Sequence, residues 1–401
     1  MRTQGCARLA SLQSIRRKID SVKKTRNITN AMTMIAAAKF TGTQNRTLAA
    51  GPCFMTRRIV TCVALSLWIG LSFNGSILEA ATLPTADTVL LDLHLSDSDR
   101  ADIRQGKIVK WSATEGSDRE LAVGMVLLAK TKAANFVELF REASAYKEEK
   151  AVTAHGEITG DGTLADFAGV KLEPNGEKEA LRYLSAGPGG DLNLDAKEIA
   201  AFRALKPAGG KVAVTDEQVE ALVRQTLLSR YQAYRAKGLA GIAPYERKNG
   251  LRLQASEELS ISIKQMKLLA IYAPSVHATL LNYPAAKDGQ KALEEHFYWL
   301  NIDLFGRPTY ALSHRMLFQV GEVYFASDRH YYTSHDYNSL QQGVTALPTK
   351  DGTLVITLVR VSTDQVGGFG SSAKHSISRA LMGPYFDSLY ETLRAKAEKK
   401  Q

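Results

Sequence analysis

The stretch from Arg307 to Asp364 limits the fold more than any other part of the chain. It reads "RPTYALSHRMLFQVG", then "EVYFASDRHYYTSHDYNSLQQGVTAL", then "GTLVITLVRVSTDQ". β-Branched and aromatic residues dominate and alternate with polar ones, the two-residue period of a strand. Turn signals separate the runs at Gly321 and at "PTKDG", Pro348–Gly352. The expectation is a meander of three or four antiparallel strands. Such a sheet has an apolar face that other elements must cover.

The covering elements are legible on both sides of the meander. "RELAVGMVLLAKT", Arg119–Thr131, is an apolar run of strand length. "AANFVELFREASAY" follows as a helix with Phe136, Leu139 and Phe140 on one face, and "AVTAHGEI" and "LADFAGVKL" read as short strands. "TDEQVEALVRQTLLSRYQAYRAKG" has Thr215 and Gln218 at capping-box spacing, an apolar face from Val219 to Tyr234, and a stop at Gly238. "SEELSISIKQMKLLAIYAP" reads as a helix ending before Pro274, and "ALEEHFYWLNIDLFG" as one with Leu293, Phe297, Leu300 and Leu304 on one side. After "VGGFGSS" a long closing helix carries Ile377, Leu381, Phe386, Leu389 and Leu393. The order is α+β: an antiparallel sheet, a helical insert at about 178–305, and a long C-terminal helix. This order resembles that of a START-like helix-grip domain, in which a curved sheet wraps the last helix around an apolar cavity; a plain α+β sandwich of another topology is the alternative.

The first eighty residues have a different character. Residues 1–58 hold 12 Lys or Arg and one acid, Asp20, whereas the remaining 343 residues hold 39 bases and 40 acids. The body is thus near neutral, and the net charge of +10 is no nucleic-acid footprint. Cys6, Cys53 and Cys62 are the three cysteines, so the body from Thr82 has no thiol chemistry. From Met55 the chain reads "MTRR", then the 15-residue apolar run "IVTCVALSLWIGLSF", then "NGSILEAA". This is the layout of a signal peptide over 55–81, and a helix of that length spans only ~22 Å. It is expected to address the body to the periplasm, with contact to a membrane during export and cleavage near Ala80. A short membrane anchor is the alternative. Ahead of it, 1–50 contains a basic amphipathic helix with Leu12, Ile15, Ile19, Val22, Ile28, Met32 and Ile35 on one side.

Two resemblances accompany these readings. Ala10–Leu12, "IRRKIDSVKKTRNIT" (Ile15–Thr29) and "NAMTMIAAAKF" (Asn30–Phe40) resemble the amino-terminal helix of the gamma subunit of rotary ATP synthases. That resemblance implies a rotor component of the proton-transporting ATP synthase, partnered by the catalytic subunits and associated with the inner membrane. It covers residues 10–40 and stops there, so the expected organisation is a gamma-like leader fused ahead of an exported protein. The body, through "PGGDLNL", "YYTSHDYNSL" and "GTLVITLVRVSTDQVGGFGSSAKHSI", resembles an uncharacterised family of exported bacterial proteins. No activity follows from that likeness.

The chemistry-bearing motifs are sparse. "DLNLDAKEIAAF", Asp191–Phe202, has Ala196 and Phe202 where a calcium loop needs Gly and Glu, and reads instead as a turn before a helix capped near Asp195. "DRHYYTSHDYNS" holds His330, Tyr332, His335 and Tyr337, candidates for a polar patch that orients a ligand inside an apolar pocket. On a continuous strand the two histidines point to opposite sides, which argues against a shared metal; the adjacent Ser334 and His335 also point apart, which argues against a nucleophile pair. "VGGFGSS" reads as a lead-in to a helix capped by Ser371 or Ser372. Arg360 is a further ligand candidate, and Asp328, Arg329, Arg360 and Asp364 are candidates for buried cross-strand pairs. The expectation is an exported, non-enzymatic protein that binds a lipid or another apolar small molecule, with no metal and no cofactor. A gamma subunit supporting ATP synthesis is the alternative. A hydrolase using His330 or His335 is a third reading.

Overall fold

The computed structural model describes residues 84–173, 176–206, 215–285, 287–304, 306–368 and 371–400. The gamma-like segment, the apolar run of 55–81 and all three cysteines lie outside them. Two short helices open the described chain, α1 (Ala86–Asp92) and α2 (Asp97–Arg104), the latter held by a Ser96–Asp99 capping box. The strands β1 (Val109–Ser112) and β2 (Glu120–Ala129) follow. Then come α3 (Ala133–Arg141) and α4 (Ser144–Glu148), separated by Ala143 at φ +50°. β3 (Val152–Ile158) precedes an insert containing α5 (Gly176–Leu184), α6 (Ala196–Ala204), α7 (Asp216–Lys237), a small β4–β5 ribbon (Tyr245–Glu246, Arg252–Leu253), α8 (Ala255–Lys264), α9 (Lys267–Tyr272) and α10 (Pro274–Asn282). Five strands close the sheet: β6 (Glu294–Asp303), β7 (Pro308–Val320), β8 (Val323–Thr333), β9 (Ser339–Thr349) and β10 (Gly352–Ser362). The final helix is α11 (Ser371–Lys399).

The eight strands form one antiparallel sheet in the order β1-β2-β10-β9-β8-β7-β6-β3. The meander supplies four central strands, and β2 docks on β10 with Val123 opposite Val359. Both faces are covered, which is why β2 is buried almost throughout rather than at alternate positions. On one face Leu121, Val123, Met125, Val355 and Val359 pack with Phe386 and Tyr390 of α11. We call this the grip face. On the other, the insert face, Val126, Phe318, Phe325 and Leu354 pack against Ile263 and Val276 of α8 and α10. Further along that face, Phe297, Trp299 and Leu312 pack against Val223, Leu227 and Tyr231 of α7.

α7 forms where its sequence specifies. Thr215 and Gln218 close the capping box, and the chain leaves the helix at Gly238 with φ +56°. A side chain at that glycine would place its Cβ 1.7 Å from the Tyr283 carbonyl oxygen. The second helix, by contrast, is broken at Gln265 and Met266 into α8 and α9. Asp195 caps α6 with Glu198 as its reciprocal partner.

Three expectations are corrected. "ALEEHFYWLNIDLFG" is not a helix but β6, because Phe297 and Trp299 bury on the insert face while Tyr298 and Leu300 bury on the grip face. Apolar spacing of three and four there is a by-product of a strand buried on both sides. "LADFAGVKL" is a single 3-10 turn at Leu164–Phe167 rather than a strand. With β6 in the sheet, the helical insert ends at Asn282 rather than near 305.

Candidate functional site

A cavity of about 580 Å³ lies on the insert face. Its floor is sheet, with Phe318, Phe325, Ile356 and Leu358, and its roof is Met266, Leu269 and Leu280 from α8–α10. Trp111 of β1 closes one side. Gly343 opens the floor, since a Cβ there would meet the Met266 Cε at 2.4 Å. The methionine therefore lies directly on the strand.

One buried cation reaches this cavity. Arg360 donates from Nη1 to Glu120 Oε2 at 3.0 Å and to the Thr114 carbonyl at 3.0 Å, and from Nη2 to the Gln265 carbonyl at 3.2 Å. Its Nε has no partner. Burial lowers the guanidinium pKa below the ordinary arginine value, and Glu120 opposes that shift. Glu120 is itself fixed by the Ser262 hydroxyl at 2.6 Å. At the mouth stand Asp92, His94, Lys110 and Lys267, with Tyr272 of α9 hydrogen-bonded to Asp92.

A second, smaller cavity of about 110 Å³ lies on the grip face, between the sheet, α3 and α11. Phe136, Leu317, Val344, Val355 and Leu393 give it apolar walls. Arg315 and Asp328 enter it from facing positions of β7 and β8. The Arg315 guanidinium lies 4.1 Å from the Phe140 ring centre, 5.0 Å from that of Tyr146 and 5.8 Å from that of Tyr298. Asp328 accepts from the Tyr146 hydroxyl at 2.7 Å and the Ser313 hydroxyl at 2.6 Å. Burial, reinforced by the Asp328 charge, holds the Tyr146 pKa well above its usual value.

The sequence-derived candidates do not form one site. β8 carries a bulge opposite Leu312 and Ser313, so Tyr331 and Tyr332 both turn to the insert face. Tyr332 stacks under Arg230, 4.2 Å from guanidinium to ring centre. His330 stays on the grip side, where Nδ1 meets the Tyr337 hydroxyl at 2.8 Å and Nε2 lies 3.7 Å from Asp328 Oδ1. Burial lowers the His330 pKa. His335 lies past the end of β8, beside Asp336 and the Thr309 hydroxyl. The continuous-strand argument for the two histidines is therefore corrected: a bulge and the strand end at Thr333 intervene. Of the five, Arg360 alone lines the large cavity.

The proposed cross-strand pairs are corrected as well. Arg360 pairs with Glu120, and Asp364 with Arg247 at 2.8 Å. Arg329 bonds only neutral groups: Gln341 Oε1 at 3.0 Å, the Tyr234 hydroxyl at 2.9 Å and the Leu280 carbonyl at 2.6 Å. That Tyr234 hydroxyl also meets His314 Nδ1 at 2.9 Å, and burial pushes the His314 pKa down to about 4. Arg315 and Glu120 were missed. The available signal was a charged residue inside an apolar strand run, "HRMLF" and "RELAV". Among the described residues no group of three or more His, Cys, Asp or Glu is placed to hold a metal ion. No family model matches this chain, and no solved structure matches it.

Proposed function

We propose that the body is a carrier for an apolar small molecule, held in the insert-face cavity between the sheet and α8–α10. The observation that carries this reading is the cavity itself: about 580 Å³, mostly apolar, with a single buried guanidinium. Sites for small ligands occupy roughly 300–1,000 Å³ and combine apolar walls with a few fixed polar groups. Arg360 is already neutralised by Glu120, so the free Nε suits a neutral acceptor such as a carbonyl, ester or hydroxyl better than a carboxylate.

The helix-grip reading draws support from connectivity. β2 is followed by two short helices, then β3 at the far edge, and the last strand pairs with β2 before a long helix covers the same face. In that architecture the ligand is expected under the terminal helix. Here that space is about 110 Å³, too small for a lipid, which moves the proposal to the opposite face. Export through residues 55–81 and a non-enzymatic role belong to the same proposal.

Uptake of N-phenylnaphthylamine tests it. The dye brightens in apolar surroundings, and wild-type protein is expected to bind it at micromolar concentration. Thr345→Trp, on the cavity floor, is expected to abolish binding while leaving the folded circular dichroism spectrum intact. Equal dye binding by the wild type and this variant would sink the proposal.

A further inference from the structure

We propose that the small cavity under α11 binds an aliphatic zwitterion the size of a small α-amino acid, its carboxylate on Arg315 and its ammonium on Asp328. This is a second site, separate from the apolar cavity on the opposite face.

Arg315 is a buried charge and Asp328 a half-buried one, and the two do not pair with each other. Arg315 and Asp328 are cross-strand partners in the β7–β8 register, yet neither is in an ion pair with the other among the described residues. Arg315 is only 4% exposed, and its Nη1 has no hydrogen-bond partner. Its charge rests instead on the rings of Phe140, Tyr146 and Tyr298. A buried donor without an acceptor is costly, and a carboxylate is the strongest acceptor a ligand can offer it. Asp328 holds two hydroxyls, while a carboxylate has about four acceptor positions. It keeps capacity for an ammonium.

The remaining surface of the cavity fixes the rest of the ligand. Phe136, Leu317, Val344, Val355 and Leu393 offer no hydrogen bonds and suit an aliphatic side chain. A volume of 110 Å³ holds about four to eleven non-hydrogen atoms, given ~30 Å³ per liquid water and 10–15 Å³ as the least space one occupies. Alanine has six such atoms and valine eight. A plain anion would meet Arg315 but also face Asp328, and a plain amine would face Arg315. His330 lies 3.7 Å from Asp328, and burial lowers its pKa. Only a molecule carrying both charges leaves neither side chain opposed.

Calorimetric titration of the full chain with L-valine tests this, with isobutyrate and isobutylamine as single-charge controls. Valine is expected to bind at least about tenfold more tightly than either control, as each control leaves one of the two charges unmatched. Arg315→Met is expected to weaken valine at least about tenfold. Ala346→Leu fills the cavity without touching a charge and is expected to abolish valine binding. Both variants keep the insert-face cavity, so their N-phenylnaphthylamine uptake is expected to match wild type, which separates this site from the apolar one. Three results would overturn the proposal: no valine binding at millimolar concentration, isobutyrate binding as tightly as valine, or undiminished valine binding by Arg315→Met.

Discussion

The two faces of the sheet bury the same kind of side chain and compensate it differently. On the insert face, Arg360 has a carboxylate and two carbonyls, and Arg329 has a neutral acceptor on each nitrogen. On the grip face Arg315 lies against aromatic rings and leaves a donor unmatched. Arg360 also keeps one donor, Nε, without a partner, but it has a carboxylate partner, whereas Arg315 has none among the described residues. The space beside Arg360 is the wider of the two.

Five variants sharpen that contrast. Glu120→Ala strands the Arg360 charge, and removing one member of a buried pair is expected to cost about 3–5 kcal/mol, read by urea denaturation. Exchanging both for Leu and Met is expected to recover most of that loss. Arg329→Met leaves the acceptors of Gln341, Tyr234 and Leu280 unpaired and is expected to cost about 2–4 kcal/mol in the same assay.

Glu258 of α8 adds a pH dependence to the insert side. It is buried beside Arg119 at 3.4 Å, and burial raises its carboxyl from 4.5 to about 7. Because the folded state holds this proton more tightly than the unfolded chain, the stabilising contribution is complete below pH 4.5 and disappears as pH rises through 7. Relative to Glu258→Gln, wild-type stability is therefore expected to fall by about 1–3 kcal/mol between pH 4.5 and 7. A flat difference between the two profiles would contradict the assignment. Arg315→Met is expected to have the smallest effect, within about 1 kcal/mol of wild type, since no partner carboxylate is abandoned. A loss as large as that of Glu120→Ala would erase the distinction between the faces.

Much of this fold was legible because local signals and tertiary demands agreed. Gly321 and Pro348–Gly352 lie at two of the meander's turns, and Thr215, Gln218 and Gly238 mark the ends of α7. The misreading of β6 has a clear physical cause. Period analysis assumes a single buried face, and β6 buries both, so its Phe297 and Leu300 imitate a helix. The candidate site was harder to read. The bulge that turns Tyr332 away from His330 is a matter of pairing with β7, and the Glu120 that completes Arg360 lies on β2, far away in sequence. Spacing along the chain carries no record of such partners. Arg315 left a trace, a cation among apolar residues, but only the packed rings reveal what it faces.

The pairing of β2 with β10 also bears on how the chain is made. β2 is an apolar ten-residue strand, and its partner begins at Gly352. At 5–20 residues per second, the roughly 220 residues between them take about 10–45 s to synthesise. Throughout that interval a sticky segment waits without its neighbour, and the grip face cannot close.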